Sequence, residues 1–340
     1  MNMGERNAGF RNYLRVVVMF LILCAGGVGI GCDEGETDGG GGSGGGAGID
    51  IETGGTLASE PETYFYVEGG TERQTLDLYR IQGVSSPRPA LVWFHGGGWV
   101  INSKDNIEGI AFEIAEAGGF HLVSVNYRLA GQDAEDWPGI IREVKSAIRW
   151  LKLNSAQLGI DPNAIIVTGE SAGAHLAAMI ALSSGVAALE GNVNPGASSD
   201  VAAAVLFYGP YDFDTIVDEA LDVLLTGNCG VELNPLPAWV LLGCSTPDDI
   251  SDPFSGCDQS DLEEASPVTH VDSGDPPVFI AAGTKDCFVP WMQALDLEDT
   301  LNAAGVANEV SITEGGVHDA DTLDVTPAQV IDFLSAGAAQ

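Results

Sequence analysis

From about Thr63 onward the chain alternates short apolar runs with longer stretches of helical periodicity. Ala90–Phe94, His121–Tyr127, Ala164–Gly169, Val201–Tyr208 and Pro277–Gly283 are nearly continuous apolar runs of five to eight residues. Runs of that kind suit strands covered on both faces, as in a parallel sheet. Thr75–Ile81 alternates apolar and polar residues instead, the pattern of an antiparallel strand. Glu309–Thr313 is a last strand-like run. Between Pro138 and Gly159, Ile140, Val144, Ala147, Ile148 and Leu151 fall at helical spacing, with proline near the start and glycine at the end as helix punctuation. Ala172–Ser184 and Thr326–Ser335 read as two further helices. Strand–helix alternation joined by right-handed crossovers predicts an α/β fold, a mostly parallel, doubly wound sheet with helices on both faces. The rhythm breaks between about Tyr211 and Val271. That stretch is acidic, contains prolines and holds Cys229, Cys244 and Cys257. It predicts an insertion over 212–270, placed as a lid above the C-terminal edge of the sheet.

The N-terminal part has a different character. Arg6, Arg11 and Arg15 precede the apolar run Val16–Ile30, which ends in small residues. Residues 1–31 therefore read as an export signal, too short and too glycine-rich at its end for a comfortable span. Cys32 follows, in a place that resembles the lipid-accepting cysteine of bacterial lipoproteins; an ordinary signal peptide and an uncleaved anchor are the alternatives. All three place the rest of the chain outside the cytoplasm. Residues 32–58 contain an acidic segment and an almost pure Gly/Ser tract, a flexible tether whose 25 or so residues span roughly 28 Å on average. That leaves 59–340 as one catalytic-sized domain with 45% apolar residues in the chain to build its core.

Composition narrows the partners. The formal charge is −36, with only 13 Lys and Arg, four of them Lys. A surface of that sign repels phosphate, which excludes nucleic acid and leaves the lipid anchor as the one route to a membrane. The acidity is compatible with a salty environment and equally with plain solubility. Cys287 joins the three cysteines of the insertion. In an oxidising compartment four cysteines suggest disulfides, with three pairings open, and a single bond within the insertion that leaves Cys287 free is a further alternative.

The candidate chemistry lies at strand ends. Gly169-Glu170-Ser171-Ala172-Gly173 is a G-x-S-x-G motif, and Gly41–Gly45 in the tether fits the same pattern. Only the first stands between a strand and a helix, where a sharp turn exposes the serine and flanking glycines let strand and helix approach. A serine hydroxyl needs a base at neutral pH. Of five histidines, His318 follows the last strand in a glycine-containing loop and is the candidate; His95, His121, His175 and His270 read as structural. Asp286, just after Pro277–Gly283, is the carboxylate that would orient the imidazole, with Asp319 and Glu170 as weaker alternatives. His95-Gly96-Gly97-Gly98-Trp99 follows another strand, and successive glycines let backbone amides point into a site unobstructed. The amides of Gly97, Gly98 and Ala172 are the expected oxyanion hole, with His95 holding the loop. Trp99, Tyr208 and Trp137 are candidates for a substrate pocket, or for core packing.

His95–Trp99, Asn126–Leu129, Gly169–Ala178, Phe207–Asp212, Ala265–Pro267, Gly283–Asp286 and Gly315–Asp319 together resemble the acetyl-esterase and hormone-sensitive-lipase-like branch of the α/β hydrolases, with feruloyl-esterase-like relatives. The resemblance runs from about Leu76 to the C-terminus. It implies the α/β-hydrolase fold and a serine carboxylesterase acting on short-chain acyl, aryl or carbohydrate esters, with no metal or organic cofactor. The catalytic set it implies is Ser171, Asp286 and His318. A peptidase or amidase on the same scaffold, and a non-catalytic binding protein, are the rival readings.

Overall fold

In a computed structural model of the chain, the residues described are 49, 51–131, 137–225, 238–244, 254 and 256–337. The export signal, Cys32, the glycine tract and Cys229 lie outside them. Within them an eight-stranded sheet forms from β1 (Glu62–Phe65), β2 (Thr75–Tyr79), β3 (Arg88–Phe94), β4 (His121–Val125), β5 (Ile160–Glu170), β6 (Ala203–Phe207), β7 (Val278–Gly283) and β8 (Asn308–Thr313). Their spatial order is β8-β7-β6-β5-β3-β4-β2-β1. Strands β3 to β8 are parallel, while β2 pairs antiparallel with β4 and β1 antiparallel with β2. The periodicities explain this division: β3 and β4 are buried at every position, whereas β1 sits at the edge with three of its four residues exposed.

Helices cover both faces. On one lie α1 (Gly109–Gly118) and α6 (Pro327–Gly337), which pack against each other; Ile114, Phe120, Leu91, Trp93, Phe279, Val330 and Phe333 form the core there. On the other lie α2 (Gly139–Leu153) and α3 (Ala172–Leu182). The five apolar positions read from the sequence of α2 are all buried. Helix α3 is apolar all round, and every residue of it is buried, as a helix wedged between a sheet and neighbouring helices requires. Packing begins earlier than residue 59. Ile49, Ile51 and Leu57 lie against the core, and Thr56–Leu57 pairs with Ile81–Gln82.

The insertion contributes α4 (Ile216–Leu225), one turn at Ala238–Leu241 and a short helix at Gln259–Ala265 among the described residues. Phe213 packs on Trp99 and His175, and its amide donates to the Ser266 hydroxyl at 2.9 Å. Cys244 and Cys257 are joined by a disulfide. Cys287 is also disulfide-bonded, which sets aside the arrangement that leaves it free. A last helix, α5 (Met292–Ala304), packs beside β7 and β8.

Candidate active site

The C-terminal ends of β3, β5, β6, β7 and β8 carry the residues that sequence reading singled out. Strand β5 runs straight into α3 through Ser171, whose φ of +52° and ψ of −122° are a strained conformation for a residue with a side chain. The strain is held from both sides: Ser171 N–H donates to the Phe207 carbonyl at 2.9 Å, and the Ser171 carbonyl accepts from His175 N–H at 3.1 Å. Strand and helix meet closely enough that a Cβ on Gly173 would lie 2.0 Å from the Phe94 carbonyl oxygen, and one on Gly169 2.6 Å from the Gly173 carbonyl carbon. The flanking glycines of the motif are therefore needed for packing.

Asp286 and His318 come together from the loops after β7 and β8. His318 Nδ1–H donates to Asp286 Oδ2 at 2.6 Å, while Oδ1 accepts the amides of Phe288 at 2.8 Å and Val289 at 2.9 Å. The carboxylate is thereby fixed, and the imidazole keeps Nε2 as its free nitrogen. The ring lies between Tyr208 and Phe288, with centroids 4.6 and 5.1 Å away. Burial disfavours the imidazolium, but Asp286, Glu170 and Glu108 outweigh it and raise the His318 pKa above its ordinary value.

In the loop after β3, Gly97, Gly98 and Trp99 have φ of +99°, +58° and +62°. Among the described residues the amides of Gly97, Gly98 and Ala172 take no protein acceptor. That of Ala172 is one of the orphan donors at the start of α3. Backbone donors of this kind suit a developing oxyanion. His95 braces the loop: its Nδ1–H donates to the Gly96 carbonyl at 2.8 Å, its ring stacks on Tyr127, and its carbonyl accepts the Tyr127 hydroxyl.

The remaining candidates sort by contact. Trp99 is wholly buried, with Nε1–H donating to His175 Nδ1 at 3.3 Å, so it builds the core beneath the loop. His175 Nε2–H in turn donates to the Ala265 carbonyl at 2.8 Å, so both of its ring nitrogens are engaged within the core, and burial lowers its pKa to about 4. Trp137 is half-buried and donates to Glu264. Of the three aromatic candidates, Tyr208 is the one placed against His318. His121 bridges the Ile81 amide and the Gly159 carbonyl, and His270 donates to the Glu264 carbonyl, both away from this chemistry. Asp319 accepts from the Asp321 amide and caps a single turn.

Sequence reading missed Phe288 and Glu108. Phe288 carries no motif; only its place two residues after Asp286 puts it beside the imidazole. The carboxyl of Glu108, at the start of α1, is pushed up to about 7 by burial and by Glu170, Asp319 and Asp321. Carboxyl oxygens of Glu108, Asp319 and Asp321 lie within 4.8 Å of one another, the one group among the described residues with the spacing to hold a cation.

Comparison with known proteins agrees with this architecture. Residues 76–301 match the BD-FAE family. The esterase LipQ of Mycobacterium tuberculosis is 33% identical over 248 residues, covering 71% of this chain and 52% of that protein. LipM of the same organism, a probable carboxylic ester hydrolase, is 32% identical over 232 residues, covering 66% and 48%. The chain spans about half the length of the curated relatives it matches. A truncated carbohydrate esterase from gut microbiota superposes with a TM-score of 0.69 at 25% identity, over 84% of this chain and all of that one.

Proposed function

From the premise that this chain belongs to the BD-FAE family of α/β-hydrolase esterases, we propose that it hydrolyses carboxylic esters through an acyl-enzyme. Ser171 attacks the ester carbonyl while His318 Nε2 takes its proton. Asp286 holds the tautomer and stabilises the imidazolium. The amides of Gly97, Gly98 and Ala172 receive the oxyanion. His318 then protonates the departing alcohol, and water activated by the same nitrogen releases the acid. The observation that carries this reading is the Asp286–His318 hydrogen bond of 2.6 Å at the sheet edge that also bears the strained Ser171. Short-chain acyl groups on aryl or carbohydrate alcohols are the proposed substrates; the gut carbohydrate esterase supports the carbohydrate alternative.

The test is labelling with a fluorophosphonate probe, followed by peptide mapping, alongside p-nitrophenyl acetate turnover. Wild type labels at Ser171 and turns over. Ser171→Ala does neither, retaining roughly a millionth to a thousandth of kcat with its fold unchanged. Turnover retained in folded Ser171→Ala refutes the nucleophile. A folded wild type that takes no label favours the binding-protein reading.

A further inference from the structure

Glu170 takes no step in the proposed reaction, yet its side chain lies between three parts of the site. It ends β5, directly before Ser171. Its Oε1 accepts from the Gly96 N–H at 3.1 Å, in the loop that carries Gly97 and Gly98. Its Oε2 accepts from the Tyr208 hydroxyl at 3.3 Å, and the Tyr208 ring is the one packed on His318. The fit is close: a Cβ on Gly96 would lie 2.8 Å from Cδ and Oε1 of Glu170.

We infer that Glu170 is a positioning residue for ester hydrolysis: it ties the oxyanion loop and the aromatic backing of His318 to the nucleophile's own strand, and turns a negative charge toward the imidazolium. The inference rests on the esterase reading and adds a residue to it. The physical need is plain. A loop of three glycines has no side chains with which to anchor itself, and donors help only if they are already in place when charge develops. The Gly96 amide is the anchor immediately before those donors. Tyr208 has φ of +42° and is pinned by its N–H to the Ala281 carbonyl at 2.7 Å, so the link through its hydroxyl sets where the ring stands against His318. Burial raises the pKa of Glu170, and His318, the Gly96 amide and the Tyr208 hydroxyl act against that shift; both oxygens are placed as acceptors, as in a carboxylate.

The charged groups around His318 come from several elements: Asp286 from the loop after β7, Glu170 from β5, Glu108 from the start of α1 and Asp319 beside it in sequence. Around Glu170 itself stand His318, Asp319 and Glu108, with Gly96 N–H and the Tyr208 hydroxyl as donors. Removing one carboxylate from this set weakens the preference for imidazolium, so the base form of His318 persists to lower pH.

The test compares kcat/KM against pH on p-nitrophenyl acetate for wild type, Glu170→Gln, Glu170→Asp and Tyr208→Phe, with folding checked by circular dichroism. In Glu170→Gln the amide oxygen can still accept from Gly96 N–H, but the NH2 then turns to Tyr208, whose hydroxyl must reverse and accept. Both ties become neutral and the charge facing the imidazolium is lost, so kcat/KM falls roughly three- to tenfold. Its acid limb moves to lower pH by roughly half a unit to one unit. Glu170→Asp keeps the charge on a shorter arm, so the rate falls while the limb stays near its wild-type position. Tyr208→Phe keeps the ring and removes one tie, lowering kcat/KM roughly three- to tenfold with the limb unmoved. It carries the test if Glu170→Gln does not fold. Wild-type rate and profile in folded Glu170→Gln, or an unchanged rate in folded Tyr208→Phe, overturns the inference. A wild type inactive on every ester overturns the esterase reading with it; an active wild type with silent variants overturns this inference alone.

Discussion

Gly173 is where the packing of the fold and the proposed chemistry meet, and substituting alanine there gives a sharp test of both. The new Cβ would stand 2.0 Å from the Phe94 carbonyl oxygen, 2.6 Å from the Phe94 carbonyl carbon and 2.7 Å from the His95 carbonyl oxygen. All three neighbours are backbone, so no rotamer change relieves the overlap. Restoring a contact of 3.4 Å to the first atom requires the end of β3 and the start of α3 to separate by about 1.4 Å, in an interior packed as densely as a crystal. The expected cost is about 3 kcal/mol, at the upper end for overpacking. For a domain of this size that lowers Tm by roughly 6–12 °C. The same displacement carries the loop with Gly97 and Gly98 away from Ala172, splitting the proposed oxyanion hole, and a misplacement of about 1 Å is worth roughly a hundredfold in rate. The assay is thermal unfolding together with kcat on p-nitrophenyl acetate, measured at a temperature where the variant is folded. Gly109→Ala is the control. Its Cβ meets only Asp321 Oδ1, at 3.9 Å, at the first position of α1, so it should leave both quantities within error or raise Tm slightly. A Gly173→Ala protein with wild-type Tm and wild-type kcat would show that strand and helix do not meet as described and that the oxyanion loop is placed by something else.

Other expected outcomes follow from the same geometry. Asp286→Asn should lower kcat by roughly a thousand- to ten-thousandfold. Because Asp286 raises the pKa of His318, wild-type kcat/KM should fall as pH drops through a midpoint above the ordinary imidazole value of about 6.5, and Asp286→Asn should move that limb to lower pH. A limb that stays in place separates the two side chains. The sign for stability runs the other way from activity. A histidine raised in the fold contributes stability that is complete below its unfolded value and lost as pH rises through the folded one, so the pair favours the fold most where the base is protonated and inactive. If Cys32 is acylated and anchors the chain outside the cytoplasm, the exported protein should partition into a detergent phase and Cys32→Ala should return it to the aqueous phase; equal partitioning of the two excludes the anchor.

The parts of the fold legible from sequence were those whose periodicity is enforced by burial. Strands β3 to β7 are covered on both faces, so their apolar runs could hardly be read otherwise, and α2 shows its apolar stripe because polar and charged residues stand between the apolar ones, although Glu143, Lys145, Ser146 and Arg149 are themselves buried. That Ser171, Asp286 and His318 share one edge was legible for a related reason: in a parallel sheet, residues just past strand ends converge there. What was not legible depends on contacts between loops. The early start of packing at Ile49 is set by three residues reaching the core beyond a glycine tract, too few to make a pattern. For Trp99 the sequence leaves pocket lining and core packing open; its φ of +62° and its contact with His175 put it under the loop, in the core.

Glu170 shows the limit most clearly. Its position inside the motif was in plain view, and from sequence it could only be ranked as a weaker alternative to Asp286, because nothing local says where a side chain at a strand end will point. The pleat answers that, together with the neighbours β5 acquires. With β3 on one side and β6 on the other, a carboxylate at the end of β5 stands between the loops that follow both, and Gly96 and Tyr208 are the first groups in those loops that can reach it. The serine and the glutamate are adjacent in sequence, yet their surroundings belong to different levels of the structure: a local turn for Ser171, the order of strands in the sheet for Glu170. Removing the carboxylate, as in Glu170→Gln, should therefore be felt at the oxyanion loop and at His318 together, and a folded Glu170→Gln protein in which only the rate or only the acid limb changed would mean that strand order does not couple the two.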